Sequence, residues 1–214
     1  TFQNKQKFMP GKSKIPLAVP PYGAKEVVDS LESLMSMNTT AGKKVGKFEK
    51  KFSKFIGNKF GIMVNSGSSA NLLALSILSN PLLNNRIKPG DEIITPAVTW
   101  ATTVYPISNI NAIPRLVDVK LDDYTIDPES IENAINNKTK AIMIVHLLGN
   151  PCDMQKIVKI AKKHNLHIVE DACHAIKAEL GNKKAGYYSS TACYSMHPLK
   201  NLNAIGDGGY LTTN

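Results

Sequence analysis

One lysine of this 214-residue chain stands where it could react. Lys200 lies in Ser195-Met196-His197-Pro198-Leu199-Lys200-Asn201-Leu202, and the turn Gly206-Asp207-Gly208-Gly209 follows. A proline just before the leucine–lysine pair and glycines after it confine the backbone to a tight bend. Upstream, His167-Ile168-Val169-Glu170-Asp171-Ala172 is a β-branched run ending in two acids. A positioned lysine amine can condense with an aldehyde. An acid at a strand end can keep a ring nitrogen protonated, so that the ring accepts electrons. These are the two requirements of a pyridoxal phosphate site.

Two further stretches could complete such a site. Ser66-Gly67-Ser68-Ser69-Ala70-Asn71 joins a strand to a helix. Backbone N–H groups at a helix start, with serine hydroxyls, suit a phosphate. The helix terminus alone is worth only ~0.3–2 kcal/mol per anion, so side chains must add to it. Read by themselves, the same serines would serve equally as a helix cap. Trp100, the one tryptophan, follows Pro96-Ala97-Val98-Thr99 and is either a core aromatic or a stacking surface. Neither a GxGxxG nor a Walker pattern occurs. His164 and His167 form an HxxH that straddles a helix-to-strand change, so no metal site is expected there.

The elements that must hold these residues read as alternating helices and strands. Apolar spacing predicts helices over 24–37, 43–56 and 70–79, the last apolar all round and therefore buried. Further helices are predicted at 100–110, 127–136 and 153–164, where Asp127-Pro128 and Asp153 act as start signals. Strands are predicted at 60–64 (short and buried), 92–95, 114–119, 141–145, 166–169, 191–196 and 208–212. Such alternation implies an α/β fold, a mostly parallel sheet covered on both faces. Asp171 then sits at the carboxyl end of a strand, where open α/β sheets bind ligands. Glu170 points to the other side and reads as structural.

Composition is ordinary for a globular protein. The formal charge of +9 comes from lysines scattered over helices and loops without interleaved aromatics, which argues against nucleic acid and suits phosphorylated ligands. No apolar run approaches the ~20 residues of a membrane span, so no membrane partner is expected. Cys152, Cys173 and Cys193 are odd in number and lack CxxC spacing, which fits small buried side chains in a reducing cytoplasm.

Taken together, these segments resemble the DegT/DnrJ/EryC1/StrS sugar aminotransferases. The motifs occur in that family's order: Ile15-Pro16-Leu17-Ala18-Val19-Pro20, Val45 to Phe48-Glu49, Asn65 to Asn71, Gly90 to Pro96, Glu170-Asp171-Ala172, and the lysine stretch. The resemblance implies the aspartate aminotransferase type I fold, a three-layer sandwich. It assigns 1–14 to an N-terminal arm and 15–214 to a cofactor-binding large domain whose C-terminal small domain is missing, since members are longer. It implies Lys200 as catalytic, first as the cofactor's anchor and then as the acid/base that moves a proton; the latter requires an uncharged amine, which burial and a neighbouring cation favour. It places Gly67, Ser68, Ser69 and Ser195 on the cofactor phosphate, Trp100 on the ring face, Asp171 on the ring nitrogen and His174 beside the ring hydroxyl. It leaves the role of His197 open.

The activity so implied is transfer of an amino group from glutamate to a nucleotide-linked keto-deoxysugar, by a homodimer. A related sugar 3-dehydrase is the alternative: those relatives carry histidine where this chain has Lys200, yet the run from Val64 to Leu75 looks like theirs. A regulatory relative without catalysis is a third reading, against which the intact Lys200 and Asp171 argue.

Overall fold

The structure, a computed structural model, describes residues 8–15, 21–37 and 39–214. The first seven residues of the expected arm, and all of the Ile15–Pro20 motif but Ile15, therefore fall outside the described residues. In chain order the elements are α1 (Ala24–Met35), α2 (Lys43–Ile56), β1 (Phe60–Val64), α3 (Gly67–Leu78), β2 (Glu92–Pro96), α4 (Ala101–Asn109) and β3 (Ile113–Val117). They continue with α5 (Pro128–Ala134), β4 (Thr139–Val145), α6 (Met154–His164), β5 (His167–Asp171), the small hairpin β6 (Glu179–Leu180) and β7 (Lys183–Lys184), β8 (Thr191–Ser195) and β9 (Gly209–Thr213).

Seven strands form one sheet in the order β1-β9-β8-β5-β4-β2-β3. The run from β8 to β3 is parallel, while β9 is antiparallel to both β8 and β1. Strand side chains alternate between faces. Ile93, Met143, Val169 and Cys193 therefore pack with Ala74, Leu75 and Leu78 of α3 and Ile107 of α4. Ile94, Ile142, Ile144 and Ile168 meet Ile131 of α5 and Ile157 and Ile160 of α6. Under α2, Phe52 and Ile56 cover Ala192, Tyr194 and Tyr210. Each such aliphatic side chain taken from water contributes roughly 1.5–3 kcal/mol. The result is the three-layer α/β arrangement expected from the alternation.

Local signals explain the helix limits. Asp127 accepts N–H bonds from Glu129 and Ser130, and Asp153 accepts one from Lys156. Gly57 at φ 97° and Asn165 at φ 54° take the left-handed turn that ends α2 and α6. Several limits depart from expectation. α5 stops at Ala134, and α3 begins at Gly67 rather than Ala70.

Two burial expectations fail, and one helical stripe is left uncovered. Among the described residues β1 is an edge strand and not buried: Phe60 is 62% exposed, and β9 is its one neighbour. α3 turns Leu72 and Ile77 outward, so an apolar circumference does not mean burial all round. Val27, Val28, Leu31, Leu34 and Met35 form a helical stripe on α1, yet all are exposed. The tiny β6–β7 hairpin carried no strand-length signal.

Candidate active site

The carboxyl ends of β5 and β8 and the amino ends of α3 and α4 enclose a cleft of about 540 Å³. Its lining includes Gly67, Ser68, Trp100, Asp171, His174, Ser195 and Lys200, brought together from four separate stretches of sequence. Ser66, Asn71, Thr102 and Thr103 line it too. A more open groove of about 710 Å³, between α2 and residues 174–178, shares His174 but holds neither Asp171 nor Lys200. Chemistry that needs both belongs to the smaller cleft.

The phosphate-like end is built by close approach. Ser66 caps α3, its Oγ accepting the Ser69 N–H at 3.1 Å. A Cβ on Gly67 would lie 2.6 Å from Ser195 Cβ and 2.8 Å from Cys173 Sγ, so only glycine lets the helix start press against the end of β8. A Cβ on Gly209 would meet the Ser66 carbonyl at 2.0 Å, which locks the glycine turn to the same corner. Gly67, exposed Ser68 and Ser195 thereby share one wall of the cleft. Ser69 does not line it. Its amide N–H and its hydroxyl are both engaged by Ser66 Oγ, which makes Ser69 part of the cap rather than of the cleft surface.

Lys200 rides on a loop closed by backbone bonds. The Met196 N–H donates to Gly208 O at 2.7 Å, Ala204 N–H to Met196 O at 2.8 Å, and Lys200 N–H to His197 O at 2.8 Å. The half-buried lysine thus stands over the cleft from a constrained turn. His174 feels it. Burial lowers the His174 pKa below its ordinary 6.5, the Lys200 charge lowers it further, and Asp171 opposes both. Its Nδ1 accepts the Leu148 N–H at 3.2 Å, so the ring enters the cleft in a set orientation. Trp100 precedes α4 and is 72% exposed on the cleft rim, which excludes the core reading of that residue.

Asp171 is 5% exposed and multiply held. Its Oδ2 accepts from Asn71 Nδ2 and Thr103 Oγ1, both at 2.8 Å, and its Oδ1 accepts the Cys173 N–H at 3.1 Å. Asn71 and Thr103 were not singled out from sequence. The available signal was a polar residue at the inner face of an otherwise apolar helix. Cys173 beside them is no nucleophile: burial and the Asp171 charge push its thiol pKa well up.

The donor set suits a planar cofactor with an anionic tail. Helix-start N–H groups and serine hydroxyls stand at one wall, a carboxylate at another, an amine on the loop above, and an aromatic surface at the rim. Asn71 Oδ1, buried and without a hydrogen-bond partner, shows that the described residues do not complete the polar contacts of this wall.

Comparison with known proteins shows the family and the fold. The model of the DegT/DnrJ/EryC1/StrS aminotransferase family matches residues 22–214. The lipopolysaccharide biosynthesis protein RfbH of Salmonella typhimurium is 39% identical over 207 residues, 96% of this chain and 47% of that one. The solved structure of the E. coli GDP-4-keto-6-deoxy-D-mannose-3-dehydratase with bound hydrated PLP superposes with a TM-score of 0.88 at 35% identity, covering 94% of this chain and 51% of that one. The aminotransferase from Psychrobacter cryohalolentis gives 0.85 at 32%, covering 91% and 48%. The chain spans about half the length of the curated relatives it matches.

Proposed function

Because the chain belongs to the DegT/DnrJ/EryC1/StrS aminotransferase family, we propose that it is the cofactor-binding part of a pyridoxal phosphate enzyme. The enzyme moves an amino group from glutamate to a keto carbon of a nucleotide-linked deoxysugar. The observation that carries this reading is Lys200, an amine held over the same cleft as the Asp171 carboxylate. When bound, the cofactor supplies an electron sink that weakens a C–H bond next to an amine. Gly67, Ser68 and Ser195 bind its anionic end. Asp171 keeps a positive charge on the ring nitrogen, and Trp100 covers a ring face. Lys200 Nζ holds the cofactor and then, once free, takes a proton from one carbon and returns it to another.

A second reading, a sugar 3-dehydratase, is favoured by the resemblance of Val64–Leu75 and by the 0.88 superposition on such an enzyme. Lys200 is what separates the two, since a dehydratase of this kind does not keep a lysine-bound cofactor. The enzyme acts as a homodimer in the cytoplasm. The test incubates the complete protein with pyridoxal phosphate, glutamate and a panel of nucleotide-linked 4-keto sugars, with products read by mass. An amino sugar, lost in Lys200→Ala, is expected. A 3-deoxy product without nitrogen would establish the dehydratase instead.

A further inference from the structure

We infer that Asn71 and Thr103 are the positioning residues of Asp171, clamping one carboxylate oxygen so that the other is left for the cofactor ring nitrogen. This rests on the reading of the cleft as a pyridoxal phosphate site. The two donors arrive from different helices, Asn71 from α3 and Thr103 from α4, and both end on Oδ2 at 2.8 Å. Oδ1 takes the Cys173 N–H at 3.1 Å, and the Cys173 thiol, a weak donor, also reaches the Asp171 carboxylate. A carboxylate oxygen has two lone pairs, so Oδ2 is filled by two strong donors, while Oδ1 holds one and has a position that a ring N–H can take in preference to a thiol.

Neither donor is free to turn away. Thr99 Oγ1 donates to Thr103 Oγ1 at 3.0 Å, which commits the Thr103 hydrogen to Asp171. Asn71 Nδ2 also reaches the Thr102 carbonyl at 3.3 Å, so two acceptors define which end of the amide is the donor. That orientation leaves Asn71 Oδ1 buried and unpaired. An asparagine kept only for packing would be costly on those terms, since an unsatisfied buried acceptor is penalised. Its retention makes sense if what it does for Asp171 outweighs the orphaned oxygen.

The placement also links two parts of the cleft. Gly67 and Ser68 start α3, and Asn71 follows about one helical turn later. One rigid helix therefore sets the phosphate-binding wall and the orientation of the ring-binding acid together. Movement of α3 would shift both.

The test compares the complete protein with its Thr103→Val, Thr103→Ser and Asn71→Leu variants. Pyridoxal phosphate affinity is measured by equilibrium dialysis, and the visible absorbance of the bound cofactor is titrated with pH in the absence of substrate. Loss of a hydrogen bond to a buried charge is expected to weaken cofactor binding about tenfold in Thr103→Val and in Asn71→Leu. The absorbance midpoint should rise in both, because a less firmly held ring proton leaves less positive charge beside the lysine nitrogen. Thr103→Ser, which keeps the hydroxyl, should bind within about twofold of the parent. Parent-like affinity and midpoint in the valine and leucine variants would overturn the inference while leaving the pyridoxal phosphate reading intact. So would a serine variant as impaired as the valine one, since packing would then be the cause. A complete parent protein that takes up no cofactor would remove the reading and the inference together.

Discussion

Glu170 and Asp171 are consecutive carboxylates on β5, and the strand sends them to opposite faces of the sheet. Glu170 is fully enclosed by the chain itself. Its Oε2 accepts from Gly186 N–H at 2.6 Å and pairs with His146 Nε2 at 2.8 Å, and its Oε1 accepts the Ser189 N–H at 2.8 Å. The Cys152 N–H donates to His146 Nδ1, so the Nε2 nitrogen is the one that gives its hydrogen to Glu170. Asp171 has almost the same burial but opens on a cleft, with acceptor capacity left over. Burial alone does not separate a structural acid from a functional one. What separates them is whether the protein satisfies the group by itself.

The largest effect should come from spoiling the closed side. Glu170→Gln keeps the shape but replaces one oxygen with an NH₂ that faces donors, and it removes the charge that His146 answers. Losing a hydrogen bond to a buried charged carboxylate costs about 1.5–3 kcal/mol, and Glu170 answers three donors, so the urea midpoint should fall steeply. The pH dependence should change with it. Burial pushes the Glu170 carboxyl up, but His146 and the Gly186 and Ser189 donors outweigh it and hold it below its ordinary 4.5. Its contribution is therefore complete above about pH 4.5 and lost as the pH drops through the lower folded-state value. The variant should lack that acid-side slope. A parent-like midpoint would mean that the enclosure of Glu170 contributes nothing.

Asp171→Asn should have a smaller effect on stability, about 1–2 kcal/mol, because the asparagine oxygen can keep both bonds made at Oδ2 and lose only the Cys173 N–H bond at Oδ1. It should nevertheless abolish amine formation and change the visible spectrum of bound cofactor. A stability loss as large as that of Glu170→Gln would erase the contrast between the two faces.

The contrast was partly legible in the sequence. A period of two assigns Glu170 and Asp171 to opposite faces, and a strand end followed by a turn locates the ligand side. The Lys200 bend and the Ser66 cap were readable because glycine, proline and serine act locally. The partners of both acids were not. Asn71 and Thr103 are 100 and 68 residues from Asp171, and His146 is 24 from Glu170, so only the sheet order brings them together. The same reason explains β1, whose apolar residues fit a central strand as well as an edge. Ser69 was not separable from Ser68 by sequence, because a hydroxyl within a serine run gives no sign of whether it faces outward or back to the cap.

The smallest effect concerns His174, which touches the cleft from the side of Asp171. Burial and the Lys200 charge lower its pKa from 6.5, with the Asp171 charge opposing. Below about pH 6.5 the unfolded chain therefore binds a proton that the folded one resists, so stability declines as the pH falls through that window and is unaffected above it. His174→Gln should flatten this part of the curve by a modest amount, since the ring is only partly buried. Lys200→Ala should flatten it in part while His174 remains, because it removes one of the two causes. Asp171→Asn should steepen it, because it removes the opposing charge. If urea midpoints between about pH 5 and 7 gave the same slope in all four proteins, the three side chains would not share an electrostatic site.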